Sequence, residues 1–320
     1  MNITGIGELM DKSLDILRKK FKDIVMYNFV YTMVLGAMGF IVILILTLVA
    51  IFLWSSFNEA LGIIAYMVIL LIFLLGLYLS LGTGVINLSS KAVLGEKTSI
   101  GNSISLAFKG ILKTLGLTFL VALTLIPAVA VFYYMGRGVI DSLSNFLSYS
   151  VIGYRLQWLN LIIIPMIFLL LLFFVALLYL TFYIYALQVL IIEKKGAIGA
   201  IRGSYRLIKN NYFKTLKHVF LVMLSVFGIR YSFESIVTTV AVIIYLVGMF
   251  FGIDMDMATI ISAIYGVMAF PLTVLTWLVI TPIFFIMTTA MYYNERAKKD
   301  GFDIYMKLDA LKKQRKEMAK

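Results

Sequence analysis

The stretch VFLVMLSVFGIRYSFESIVTTVAVIIYLVGMFFG, residues 219–252, carries only two formal charges, Arg230 and Glu234. About 20 apolar residues cross the hydrocarbon core of a bilayer as a helix, so this run is long enough to span one. A lone ionised side chain at the bilayer centre costs about 2.5–3.5 kcal/mol on insertion scales, and an opposite charge nearby offsets much of that. Four residues apart on a helix, Arg230 and Glu234 face each other and neutralise locally. Arg230 follows Lys214 by 16 residues, roughly 24 Å along a continuous helix, which places it in the outer half of the span. Three readings follow: a candidate intramembrane polar site lining a cavity, a structural clamp, or an interfacial break between two shorter helices.

Outward from this run, the chain repeats its character. Hydrophobic residues make up 62% of the 320 positions and charged residues 14%, against roughly 45–50% and 25% in soluble domains. The fold class is therefore all-α, a polytopic integral membrane protein. Six stretches reach spanning length, near 25–54, 61–88, 112–134, 159–192, 219–251 and 258–292. The first 24 residues are charged with both signs and the apolar run after them is too long for a signal-peptide core, so a mature start is expected.

Charge distribution then sets the orientation. Of 28 basic residues, 25 fall in 12–22, 91–113, 194–217 and 296–320. The alternate connections hold Arg137 and Arg155, beside Glu59, Asp141, Asp254 and Asp256. By the positive-inside rule both termini are expected in the cytoplasm, in a multi-pass protein of the cytoplasmic membrane. The net charge of +12 then belongs to a face lying against anionic lipid heads, not to a nucleic-acid surface.

The expected cytoplasmic stretches share a pattern. Ile6-Gly7, Ile100-Gly101 and Ile198-Gly199 open them, and Phe21-Lys22-Asp23-Ile24, Leu112-Lys113-Thr114-Leu115 and Phe213-Lys214-Thr215-Leu216 close them. Recurrence every 90 to 100 residues, each copy followed by two spans, reads as three elbow-plus-hairpin repeats in one membrane domain, 1–320. Their bounds are 6–90, 98–193 and 196–293, with a charged C-terminal helix over 294–320. In the first elbow Ile6, Met10, Leu14, Leu17, Phe21 and Ile24 recur at steps of three and four. Such a helix lies in the interface with its apolar side towards the acyl chains.

GELMDKSLDILRKKFKDI, AIRGSYRLIKNNYFKTL and the exit YYNERAKKDGFDI resemble the membrane domain attached to glycerophosphoryl diester phosphodiesterases and its free-standing bacterial relatives. The exit, with Tyr292-Tyr293, Arg296 and Gly301-Phe302-Asp303, is its most characteristic part. The resemblance implies a six-helix membrane domain of poorly defined activity. It transfers no site residue, because the phosphodiesterase barrel with its acidic and histidine residues is absent from this chain.

Little else in the sequence carries chemistry. Cysteine is absent and His218 is the single histidine, which leaves no thiolate or histidine metal cluster, and no cofactor is expected. No paired carboxylates or nucleophile–base sets stand out, so no enzymatic activity is expected. LGTGVIN (81–87) lacks the lysine of a phosphate loop, and its small residues read as helix contacts. The four prolines, Pro127, Pro165, Pro271 and Pro282, all lie in spans, as candidate kinks or hinges. Pro271 and Pro282, eleven residues apart, are expected on one helix face. These features leave a transport or lipid-handling component, or alternatively a scaffold or regulatory subunit with a membrane-protein partner or a second copy of itself.

Overall fold

The computed structural model describes residues 6–54, 59–96, 99–148, 157–252 and 256–300. The elements are α1 (Ile6–Trp54), α2 (Glu59–Val93), α3 (Ile100–Ser148), α4 (Gln157–Tyr183), α5 (Ala186–Ile192), α6 (Ala197–Ile208), α7 (Tyr212–Phe250), α8 (Met257–Leu275) and α9 (Thr281–Asp300). A π-helical turn, Thr276–Ile280, joins α8 to α9. No strand occurs among the described residues. Six helical stretches are long and apolar enough to cross a membrane: Gly7–Ile51, Ala65–Val93, Ile100–Gly138, Pro165–Ile192, Tyr212–Phe250 and Met257–Lys299. The expected charged C-terminal helix is helical to Asp300, and 301–320 lie outside the described residues.

The three Ile-Gly stretches join their spans differently. In α1 the helix changes direction at Lys20, whose φ of −116° and ψ of 17° leave the helical region. In α3 the stretch runs unbroken into the span over 49 residues, about 73 Å at 1.5 Å per residue. The third forms a separate helix, α6, ending in a turn before Tyr212. The apolar side of the first elbow also divides. Leu17 and Ile24 are buried with Leu9 and Ile16, whereas Leu14 and Phe21 are exposed. One set packs on the bundle and the other is left for an apolar surrounding.

The core gathers at one end of the bundle, the end carrying Lys91, Lys109 and Lys194, here the basic end. Tyr27 and Tyr31 of α1, Leu81 to Ile86 of α2, Val189 of α5, Leu207 of α6, Val219 of α7 and Phe285 to Tyr293 of α9 meet there. Towards the far end the helices expose Phe40, Leu48, Val129, Leu170, Leu246 and Phe270. Lipid tails are as apolar as these side chains, so nothing drives them together. The second helix is the hub: 44% of its apolar window is buried, against 11% for α1, α3 and α7.

Glycine makes the hub possible. A Cβ on Gly84 would fall onto the Tyr27 ring, and one on Gly82 onto the Phe285 ring. The Tyr27 hydroxyl donates to the Leu81 carbonyl at 3.0 Å, and its ring stacks on Tyr31 with centroids 5.4 Å apart. LGTGVIN is therefore a helix-contact surface, in which two rings come against bare backbone. On the other side, α4 breaks at Ile184-Tyr185. Ser204 of α6 closes the gap: its hydroxyl donates to the Phe182 carbonyl at 2.8 Å and accepts from the Tyr185 amide at 3.3 Å.

Candidate functional site

Arg230 and Glu234 form the expected pair on α7, with Nε 3.0 Å from Oε1. Helix α7 passes through both without interruption, which removes the reading of a broken span. The pair is not walled in between helices: the side chains are 55% and 39% exposed. Its anchor lies one turn on, where the Thr238 and Tyr265 hydroxyls meet at 2.7 Å and Tyr265 donates to the Glu234 carbonyl at 3.4 Å. The geometry is that of a local ion pair on an outer helix surface, beside the α7–α8 contact.

The prolines separate into different roles. Pro271 is exposed and Pro282 is buried, so they do not mark one face with respect to the core. The π turn between them breaks the α-helical phase that an eleven-residue spacing assumes. Pro282 has no N–H to give to the carbonyls of the preceding turn. The side-chain amide of Asn28 on α1 donates to the Leu278 carbonyl at 3.2 Å. Trp277 adds a second tie, donating to Thr32 Oγ1 at 2.8 Å. The break in the sixth span is thus tied to the first span by two side-chain hydrogen bonds. Pro127 and Pro165 lie inside α3 and α4.

The exit residues also have a structural place. The Tyr292 hydroxyl donates to Glu193 Oε1 at 2.8 Å, and Arg296 Nη1 reaches Tyr292 Oη at 3.0 Å. Lys195 Nζ lies 2.5 Å from the other Glu193 oxygen. The hydroxyls of Tyr293 and Ser90 meet at 2.6 Å. Together these pin α9 to α2 and to the α5–α6 connection. Burial works to raise the Glu193 pKa, but hydrogen bonds from Lys195 and Tyr292 and the Arg296 charge outweigh it. They hold the carboxyl below its ordinary value of 4.5. A carboxyl depressed by folding adds stability above the unfolded value and loses it as pH falls through the folded one. Melting temperature in detergent is therefore expected to drop as pH is lowered below about 4.5. Glu193→Gln should flatten that drop, and an unchanged acid limb would show that the network does not hold the ionised form.

Two concave regions stand out, neither legible from motifs. The larger, of about 790 Å³, lies between α3 and α4. Leu125, Val129 and Phe132 face Phe168, Leu172 and Ala176 across it. Tyr179 lies at its inner end, where its hydroxyl donates to the Val121 carbonyl at 2.7 Å and meets Thr124. Arg137 lies at its far end. The smaller, of about 390 Å³, is at the basic end, between α2, α3, α5 and the connection after α5. Thr83, Asn102, Ser105, Lys109, Lys113 and Lys194 give it a polar, cationic lining. The sequence signal for it was the ladder 102, 105, 109 and 113 on one face of α3. Lys194, from the far side, had no sequence link to that ladder.

These features define a class: an all-helical, multi-pass membrane protein with a packed basic end and loosely associated apolar far halves. Among the described residues no cluster of His, Cys, Asp or Glu has the makings of a metal site. Comparison with family models, with characterised proteins and with solved structures gives no match.

Proposed function

We propose that this chain is a non-catalytic lipid-handling component of the cytoplasmic membrane, with its basic end and both termini on the cytoplasmic side. The observation that carries the reading is the groove between α3 and α4. Its volume of about 790 Å³ lies within the ~300–1,000 Å³ usual for small-molecule sites. Its walls are aliphatic and aromatic, and it has a cation, Arg137, at one end and hydroxyls at the other. That is the chemistry of a lipid: an acyl chain along the walls and a phosphate at Arg137. A solute pathway would need polar walls, whereas the buried polar side chains gather at the basic end. In the stretch that resembles the phosphodiesterase-associated membrane domain, Tyr292, Tyr293 and Arg296 hold α9 against its neighbours.

Native mass spectrometry of the detergent-solubilised protein tests this reading. A retained phospholipid is expected on the unaltered chain. It should be lost on filling the groove with Ala128→Trp or Ala176→Trp, and kept in Val240→Trp, on an exposed face elsewhere. Equal retention in all three would remove the groove as a lipid site. The scaffold reading draws on the exposed Arg230–Glu234 pair, which a partner helix would cover. It requires a co-purifying chain that disappears in Arg230→Met/Glu234→Gln.

Orientation has its own test. A single cysteine at Asn210, exposed in the turn before α7, and one at Met257, exposed at the start of α8, lie at opposite ends of one span. In intact cells an impermeant thiol reagent is expected to label the residue at 257 and spare that at 210. The reverse pattern would invert the protein.

A further inference from the structure

We propose that the smaller cavity, at the basic end, is a binding site for a phosphate-bearing anion, independent of the groove between α3 and α4. Three lysines line it, Lys109, Lys113 and Lys194, each exposed at its rim, and no carboxylate is among its lining residues. Lys109 and Lys113 are four apart on α3, so they share a face, and like charges at that spacing repel. The arrangement adds a third cation from another element. Lys194 directly follows the C-cap of α5, Glu193, and its φ of 55° is the left-handed conformation that commonly ends a helix. Among the described residues it is the one non-glycine residue with positive φ. Three like charges brought to one cavity from two elements are balanced by an anion held between them.

The donor set selects the kind of anion. Arginine forks match planar carboxylates, but none is present; lysines act as point charges and suit a multiply charged tetrahedral group. Asn102 and Ser105 lie on the same face of α3 as the lysines and add neutral polar groups to the lining. The volume, about 390 Å³, is enough for a phosphate with an organic group attached. That chemistry has two sources, the headgroup of an anionic phospholipid and a soluble phosphate ester. Gly110 sits in the wall, and a Cβ there would meet only the Thr83 methyl at an ordinary 3.9 Å. An added Cβ at 110 therefore needs no shift of α2, and a longer side chain there takes up space at the cavity wall.

The test measures binding to the full chain in a zwitterionic detergent, using inorganic phosphate, glycerol 3-phosphate, short-chain phosphatidylglycerol and short-chain phosphatidylcholine. Phosphatidylglycerol or glycerol 3-phosphate should bind, and each removed lysine should weaken binding by about tenfold. The variant Lys109→Gln/Lys113→Gln/Lys194→Gln is compared with Lys12→Gln/Lys19→Gln/Lys22→Gln, which lowers net charge equally away from the cavity. Loss in the first and retention in the second supports the site. Equal loss in both makes the effect one of overall charge and overturns it. Gly110→Leu keeps every lysine and should abolish binding; unaltered binding there would mean an open basic surface with no pocket, and would also overturn it. Competition by inorganic phosphate or glycerol 3-phosphate identifies a soluble ligand, and binding of phosphatidylglycerol alone identifies a lipid headgroup. Binding of none of the probes, or of phosphatidylcholine equally, overturns the proposal.

Discussion

Gly84→Ala is expected to destabilise the protein by about 3 kcal/mol, the upper part of the usual range for overpacking a tight core. The added methyl would fall within the Tyr27 ring. Tyr27 cannot swing aside, because its hydroxyl is bonded to the Leu81 carbonyl and its ring is stacked on Tyr31. Gly36→Ala, on α1 where a Cβ meets nothing within 4 Å, should be neutral or should stabilise by up to about 1 kcal/mol through helix propensity. Melting temperatures of the two variants in the same detergent make the comparison. If both move alike, Tyr27 does not lie against bare backbone at position 84. A smaller ring partner should restore part of the loss, so Tyr27→Leu in the Gly84→Ala background is expected to be more stable than Gly84→Ala alone.

Asn28→Leu should cost about 1–3 kcal/mol, the usual range for leaving one buried polar group without its partner. The group in question is the Leu278 carbonyl, in the turn before Pro282, to which the Asn28 side chain donates. The substitution is not purely a loss, because Asn28 Oδ1 is itself buried without a hydrogen-bond partner. Pro282→Ala returns an N–H to the turn that contains this carbonyl. In that background Asn28→Leu is expected to cost much less. A double-mutant cycle on melting temperature measures the difference as a coupling energy. Strict additivity would show that Asn28 and Pro282 act on different groups.

Both predictions fall on residues whose importance a linear reading does not reveal. Asn28 is one polar residue near the start of a span, and its partner is 250 positions away. The pair that does announce itself, Arg230 and Glu234, needed only local geometry, and it forms as the four-residue spacing requires. What that spacing left open was the surroundings, and there the side chains stand largely exposed. The proline pair shows the same limit from the other direction. Eleven residues is three α-helical turns only while the helix stays α, and the π turn at Thr276–Ile280 ends that condition.

By itself the sequence determined what one-dimensional pattern can carry. Length and hydropathy of each run specified six membrane-crossing helices, and local periodicity specified amphipathic stretches and the Arg230–Glu234 contact. Each of these rests on neighbours within a few turns of one helix, so no knowledge of the other helices was needed. Only the tertiary structure decided where the core sits, that α2 is its hub, and that Lys109, Lys113 and Lys194 line one cavity. In an apolar solvent a leucine facing lipid and a leucine facing a helix read the same. Which faces meet is settled by small residues, rings and a few buried hydrogen bonds between distant helices, and those pairings have no period in the chain.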